Sequence, residues 1–292
     1  GPEKMVAVLT ERSEQMKHTN IRRKVITTVI LLAVGILFLL PLLWMISSSL
    51  KPGSEVFSTD FTWIPSKFVW KTYEQVLTSK SVPFLNMIKN SLVLATATIV
   101  GQLLVSSLAA YAFACIDFKG KNIVFIMLLG AMMIPSQATL IPRFTLFNSM
   151  GLYNTHWALL LPSWFSVRAV FLLRQFYQKI PRDLVEAAVI DGAGHFRIWW
   201  QIMMPLTKTA MVSLTILAFI GSWNDFLTPL IFLTDKDLFT VSLGINLYNS
   251  MEQDLINKVM AAATVGTVPV ILIFSIFQKQ FVEGITTSGI KS

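Results

Sequence analysis

NSLVLATATIVGQLLVSSLAAYAFACI, residues 90–116, carries no charged side chain between Lys89 and Asp117. Wound as an α-helix at about 1.5 Å per residue, it is long enough to cross a hydrocarbon core about 30 Å thick. The flanking sequence repeats the pattern. Residues 25–50, 122–142 and 259–278 are equally free of charge, and residues 155–176 and 206–234 are long apolar runs interrupted deep inside by Arg168 and by Asp225. In lipid an unpaired backbone amide or carbonyl costs several kcal/mol, so runs of this length are helices and not open sheet. The chain reads as an all-α integral membrane protein with six transmembrane helices, a number that returns both termini to one side.

Composition agrees. Hydrophobic residues make up 54% of the chain and charged residues only 14%, with a mean hydropathy of +0.62, far from the pattern of a soluble domain. Lys and Arg concentrate in cytoplasmic loops close to membrane helices. Most of the 24 here precede the first run, follow the second, lie between the fourth and fifth, or follow the sixth; Lys51, Lys67, Lys71, Lys80 and Lys89 in the first outer loop weaken the contrast. This distribution places a cytoplasmic N-terminal segment at 1–24, the membrane domain at 25–282 and a cytoplasmic tail at 283–292. The net charge of +8 therefore reports topology, and nucleic acid is not an expected partner. The first run is too long for a cleavable signal and lacks a small-residue cleavage pattern. Cys115 has no partner for an internal disulfide, and His18, His156 and His195 are too scattered to suggest a metal site.

The loop at 177–205 is the most informative part of the chain. EAAVIDGAGHFRIWWQIMMP, residues 186–205, is amphipathic yet too short to span. Pro181 and Asp183 signal a helix start, and Asp191-Gly192 can break that helix after about two turns. Ala187, Ala188 and Gly192 have almost no side chain and would let another backbone approach closely, so the segment could seat in a groove on a partner; a self-packed loop is the alternative. Phe196, Trp199, Trp200 and Ile202 would anchor its second limb. Pro135, Pro162, Gly221, Pro229, Gly266 and Pro269 punctuate the spans, which is tolerated at membrane depth where protein or a watery cavity satisfies the freed backbone groups. A solute pathway or ordinary kinked helices would each account for them.

Glu186-Ala187-Ala188, three residues, Gly192, nine residues, Ile202, one residue, Met204-Pro205 resembles the EAA loop of permeases in binding-protein-dependent ATP-driven (ABC) importers, with Met204 where Leu is usual. PLLWMISSSLKPGSEVF, FTWIP, IPSQATLIPRFTLFNSMGLYNT, FLLRQFYQKIPRDLVEAA and GSWNDFLTPLIFL are similar to the carbohydrate-uptake class, and GITTSGIKS to the tail of the second permease subunit of maltose-type systems. The resemblance implies a type I importer permease of the bacterial inner membrane. It would pair as a heterodimer with a second permease, sit on two copies of an ATPase and receive solute from an extracytoplasmic binding protein. It also implies that Glu186 meets a basic residue on the ATPase, with Ala187, Ala188, Asp191, Gly192 and Ala193 forming the docked turn and Ile202 and Pro205 completing the motif. Ser288, Gly289 and Lys291 would reach toward the ATPase pair. ATP and Mg would sit on that partner, because no GxxxxGK[ST] occurs in this chain and no catalytic residue is expected in it.

Where many relatives are apolar or small, this chain has Arg168 and Arg143. An ionised group inside the bilayer is costly unless paired or hydrated, and a guanidinium can hold a carboxylate bidentately. The two arginines suggest an acidic sugar or uronate oligosaccharide; pairing of Arg168 with Asp225, or snorkelling, is the bland alternative. Asn224 and Asp225 could line the pathway or hydrogen-bond between helices. Another small solute such as glycerol phosphate, an ion-coupled secondary transporter and a membrane-embedded enzyme are the competing readings. The last two lack the repeats, paired carboxylates or nucleophile–base set they need.

Overall fold

With lipid as solvent, association rests on close backbone approach and internal hydrogen bonds more than on apolar burial, and the helices are arranged accordingly. The computed structural model describes the backbone of residues 2–58, 62–250 and 256–289 and the side chains of residues 23–58, 62–250 and 256–279. The tail residues Ser288, Gly289 and Lys291 thus have side chains outside the described residues.

The order is α1 (Pro2–Ser49), α2 (Gly53–Val56), α3 (Lys71–Leu77), α4 (Phe84–Cys115), α5 (Lys121–Ala131), α6 (Leu140–Ser149), α7 (Trp157–Ser163), α8 (Val167–Tyr177) and α9 (Arg182–Ile190). There follow α10 (His195–Ile198), a π turn (Trp199–Met203), α11 (Met204–Leu206), α12 (Lys208–Trp223), α13 (Leu227–Phe232), a 3-10 turn (Lys236–Leu238), α14 (Val241–Asn249) and α15 (Ile256–Gly289). All the described secondary structure is helical. Helix α4 is the central strut and packs on α7, α8, α12 and α14, whereas α1 lies at the periphery against α15.

Four stretches are long and apolar enough to cross a membrane: Arg23–Ser49, Phe84–Cys115, Trp157–Tyr177 and Ile256–Lys279. A fifth is made by His195–Leu206 with Lys208–Trp223, if that pair, bent by 83°, is one span. The run at 122–142 is not one helix. Its chain closes into tight turns at Met132, Met133 and Ile134, because Pro135 offers no amide and disfavours helical backbone at the residue before it. The run at 206–234 likewise divides into α12 and α13.

Side chains satisfy the broken backbone. Ser166 caps α8 by accepting from the Ala169 amide at 3.4 Å, and its own amide donates to Ser106 Oγ at 3.2 Å. Asp225 Oδ1 accepts from the Thr228 amide at 3.2 Å, and Ser242 Oγ donates to the Asp225 carbonyl at 2.7 Å. Interruptions are thus stabilised by polar groups from facing helices, as the low-dielectric setting requires.

The face that α4 buries carries Ser91, Ala95, Thr98, Gly101, Ser106 and Ser107. Small residues let α7 and α8 approach closely. At Gly101 the contact is tightest: a Cβ there would lie 2.1 Å from Trp164 Cδ1, while Trp164 Nε1 donates to the Ala97 carbonyl at 3.1 Å. Gly101→Val is expected to displace that indole and destabilise the chain by about 1–3 kcal/mol, the usual range for overpacking. A thermal scan in detergent checks this, and an unchanged midpoint would refute the packing account.

Residues 50–58 and 62–83 form a cap beside α4 and α15. Buried Lys51 lies over the Trp44 ring at 4.2 Å, and its Nζ donates to the Thr62 carbonyl. The Glu55 carboxylate accepts from the Ser66 hydroxyl at 2.6 Å, the Ser66 amide at 3.1 Å and Thr62 Oγ1 at 3.2 Å. The Ser66 hydrogen bonds hold its carboxyl below the ordinary 4.5.

Candidate functional site: a projecting helix and an internal cavity

Helix α9 projects from the end of the bundle. Pro181 starts it with extended backbone, and Asp183 sits in its first turn, where the helix dipole favours an acid. It stops at Asp191 in a Schellman arrangement: the Ala193 amide donates to the Ala188 carbonyl at 2.9 Å and the Gly192 amide to the Val189 carbonyl at 3.0 Å. Gly192 has φ +80°, a conformation that costs a side-chain-bearing residue about 1 kcal/mol or more. Val185, Ala188 and Ala193 pack on the main core. Glu186, Ala187, Asp191 and Gly192 are exposed, and Glu186 has no hydrogen bond or ion pair among the described residues. Leu184, Val189 and Ile190 are also uncovered, Ile190 to 85%.

The returning limb is rooted in α4. Trp199 is buried and donates from Nε1 to Ser107 Oγ at 3.2 Å, and Tyr111 Oη meets His195 Nδ1 at 3.1 Å. Ile202 is half-buried on the same core, and Pro205 is exposed. Of the four expected anchors, Phe196 and Trp200 instead face outward, 69% and 52% exposed. Pro205 lacks the amide that a continuous helix would donate four residues back, and the backbone answers with the π turn at Trp199–Met203 and the bend at Thr207. The foot is thus a limb rooted in α4 beside a short helix with one packed and one uncovered face.

Within the bundle a cavity of about 540 Å³ opens between α4, α7, α8 and α12. Thr98, Gln102, Ser136, Ser163, Ser166 and Ser222 contribute hydroxyls and an amide to its wall, and Phe165 an aromatic ring. Arg168 and Asp225 line the same cavity but do not form an ion pair; the only ion pair within 4 Å among the described residues is Lys121–Asp117. Arg168 makes no hydrogen bond among the described residues either, while Asp225 spends one oxygen capping α13.

The other two predicted pathway residues lie elsewhere. Asn224 borders a separate cavity of about 280 Å³ between α12, α14 and α15. Arg143 stacks over the Phe232 ring at 5.5 Å, with its Nε buried and without a hydrogen-bond partner among the described residues. The hydroxyls of the cavity wall beside Arg168 are not legible in the sequence. Gln102 alone carried a signal, as the one amide side chain inside the second span after Asn90.

Long apolar helices around an internal cavity that carries Arg168, Gln102 and several hydroxyls fit a membrane permease. The sequence profile of the family "binding-protein-dependent transport system inner membrane component" matches residues 102–287, and the chain belongs to that family. It is accordingly a multi-pass inner-membrane transport subunit, not itself catalytic.

Among curated relatives, the arabinooligosaccharides transport system permease protein AraQ of Bacillus subtilis is 34% identical over 270 residues, 92% of this chain and 96% of the relative. The sn-glycerol-3-phosphate transport system permease protein UgpE of Yersinia pestis is 33% identical over 266 residues, 89% of this chain and 95% of that one. A solved bacterial ABC transporter involved in import of the acidic polysaccharide alginate contains a chain of the same fold. Its TM-score is 0.77 at 22% identity, over 88% of this chain and 95% of that one.

Proposed function

We propose that this chain is one of two different permease subunits of an ATP-driven importer for a sugar or oligosaccharide, and that α9 is its coupling helix. The observation that carries the reading is the foot itself. Small and apolar groups on α9 stand uncovered beside the free carboxylate of Glu186, while Trp199 and His195 fix the neighbouring limb to α4. ATP closure of a partner can shift a permease only by binding one of its conformations better than another, and a rooted foot passes that preference to α4 and α12. In this assembly two ATPase copies bind ATP and Mg, and an extracytoplasmic protein delivers the solute. The chain crosses the membrane six times with both termini in the cytoplasm, and Ser288, Gly289 and Lys291 extend toward the ATPase pair.

Carbohydrate is favoured as cargo by a mixed wall, in which hydroxyls, the Gln102 amide and the Phe165 ring stand among Leu94, Leu159, Leu214 and Leu217, and by the identity with the arabinooligosaccharide permease. Arg168 is the only cationic side chain among the described lining residues. A guanidinium can hold a carboxylate, as on a uronate sugar, bidentately. Purification of the tagged chain in mild detergent is expected to recover an ATPase and a second permease in stable stoichiometry. A lone, stable monomer would refute the assembly.

A further inference from the structure

A second polar cavity, of about 560 Å³, lies where the start of α5, the end of α8 and the start of α9 meet, away from the solute cavity. Lys121, Arg174, Gln178 and Arg182 line it. One acid, Asp117, faces them and is paired with Lys121 at 3.3 Å while remaining 87% exposed. Two of the cations are held in place: Arg174 Nε donates to the Phe113 carbonyl at 3.2 Å with its guanidinium over the Phe125 ring at 4.0 Å, and Lys121 Nζ donates to the Ile116 carbonyl at 2.8 Å. Arg182 has neither a hydrogen bond nor an ion pair among the described residues.

Positive charge therefore exceeds negative in a preformed recess. The adjoining face of α5 presents Ile123, Ile126 and Met127, each more than 60% exposed, an i, i+3, i+4 stripe of apolar surface. A recess with two fixed cations and a third at its rim, continuous with an uncovered apolar helix face, suits an amphiphile with an anionic head. A protein carboxylate or a free anion would leave the stripe unused.

We propose that this cavity binds the headgroup of an anionic phospholipid of the inner leaflet, with Lys121, Arg174 and Arg182 on the phosphate and an acyl chain along Ile123, Ile126 and Met127. The leaflet rests on the cytoplasmic placement of α9 given above. Arg182 is the first residue of α9, so a bound headgroup ties the coupling helix to the bilayer and to α5.

The test is native mass spectrometry of the purified full chain titrated with phosphatidylglycerol, with phosphatidylcholine of the same chains as control. Phosphatidylglycerol is expected to be retained in preference. Arg182→Gln should weaken retention about fivefold, the usual effect of one cation near an anionic surface. Arg197→Gln, an equal charge loss outside the cavity, should leave it unchanged. Equal retention of phosphatidylcholine, or indifference to Arg182→Gln, would overturn the proposal. Displacement of the lipid by millimolar inorganic phosphate alone would also overturn it, as the mark of a simple anion site. The assay needs neither an ATPase nor a sided membrane, so it can fail while the assembly stands, and the reverse.

Discussion

Glu186→Arg is expected to abolish ATP-driven uptake while leaving the chain inserted and folded. Glu186 is exposed and has no hydrogen bond or ion pair among the described residues, so its reversal removes no internal contact. A docking carboxylate would face a basic group on the partner, and losing one member of such a pair costs about 2–5 kcal/mol, roughly 30- to 4,000-fold in affinity. Reversal adds repulsion to that loss. The measurements are co-purification of the ATPase and uptake into vesicles, with a thermal scan as control. The expected pattern is ATPase lost or uncoupled, uptake lost and midpoint retained; normal uptake would remove α9 from the coupling role. Glu186→Gln should lie between wild type and reversal, because the amide keeps a hydrogen-bonding oxygen without the charge.

How far the sequence reached depended on whether a feature was local. Helix α9 was legible because Pro181 and Asp191-Gly192 are chain-local signals, and the structure starts the helix at Arg182 and ends it at Ile190. The apolar run at 90–116 corresponds to α4, although the helix begins at Phe84 because the preceding segment folds into the cap and not into lipid. In the runs at 122–142 and 206–234 the sequence marks Pro135, Gly221 and Pro229 as punctuation, but hydropathy registers residence in lipid and does not report which facing side chains satisfy a broken backbone. Asp225 shows why: its role at the head of α13 depends on Thr228 and Ser242, which a hydropathy window cannot place beside it. The separation of Arg168 from Arg143 is hidden from the sequence for the same reason. Both break an apolar pattern, but α6 turns Arg143 onto Phe232 while α8 turns Arg168 into the cavity.

Replacement of Arg168 by Ala should lower uptake of an acidic oligosaccharide without lowering that of a neutral one. An arginine at membrane depth is expensive unless hydrated or paired. Here it borders a polar cavity, unpaired among the described residues, with Asp225 on the same wall already committed to the Thr228 amide. A charge-assisted hydrogen bond contributes about 1.5–3 kcal/mol, so loss of the guanidinium should raise the half-saturating concentration of a uronate oligosaccharide roughly 10- to 150-fold. Arg168→Lys keeps the charge but not the planar fork, and should recover part of the loss. Uptake by reconstituted full assembly, with a uronate and a neutral oligosaccharide compared in each variant, separates the outcomes. A guanidinium that merely solvates the cavity would show equal changes for both sugars, whereas a selective loss for the uronate requires direct contact with its carboxylate. Unchanged uronate uptake in Arg168→Ala would leave carbohydrate transport standing and remove acid recognition from this residue.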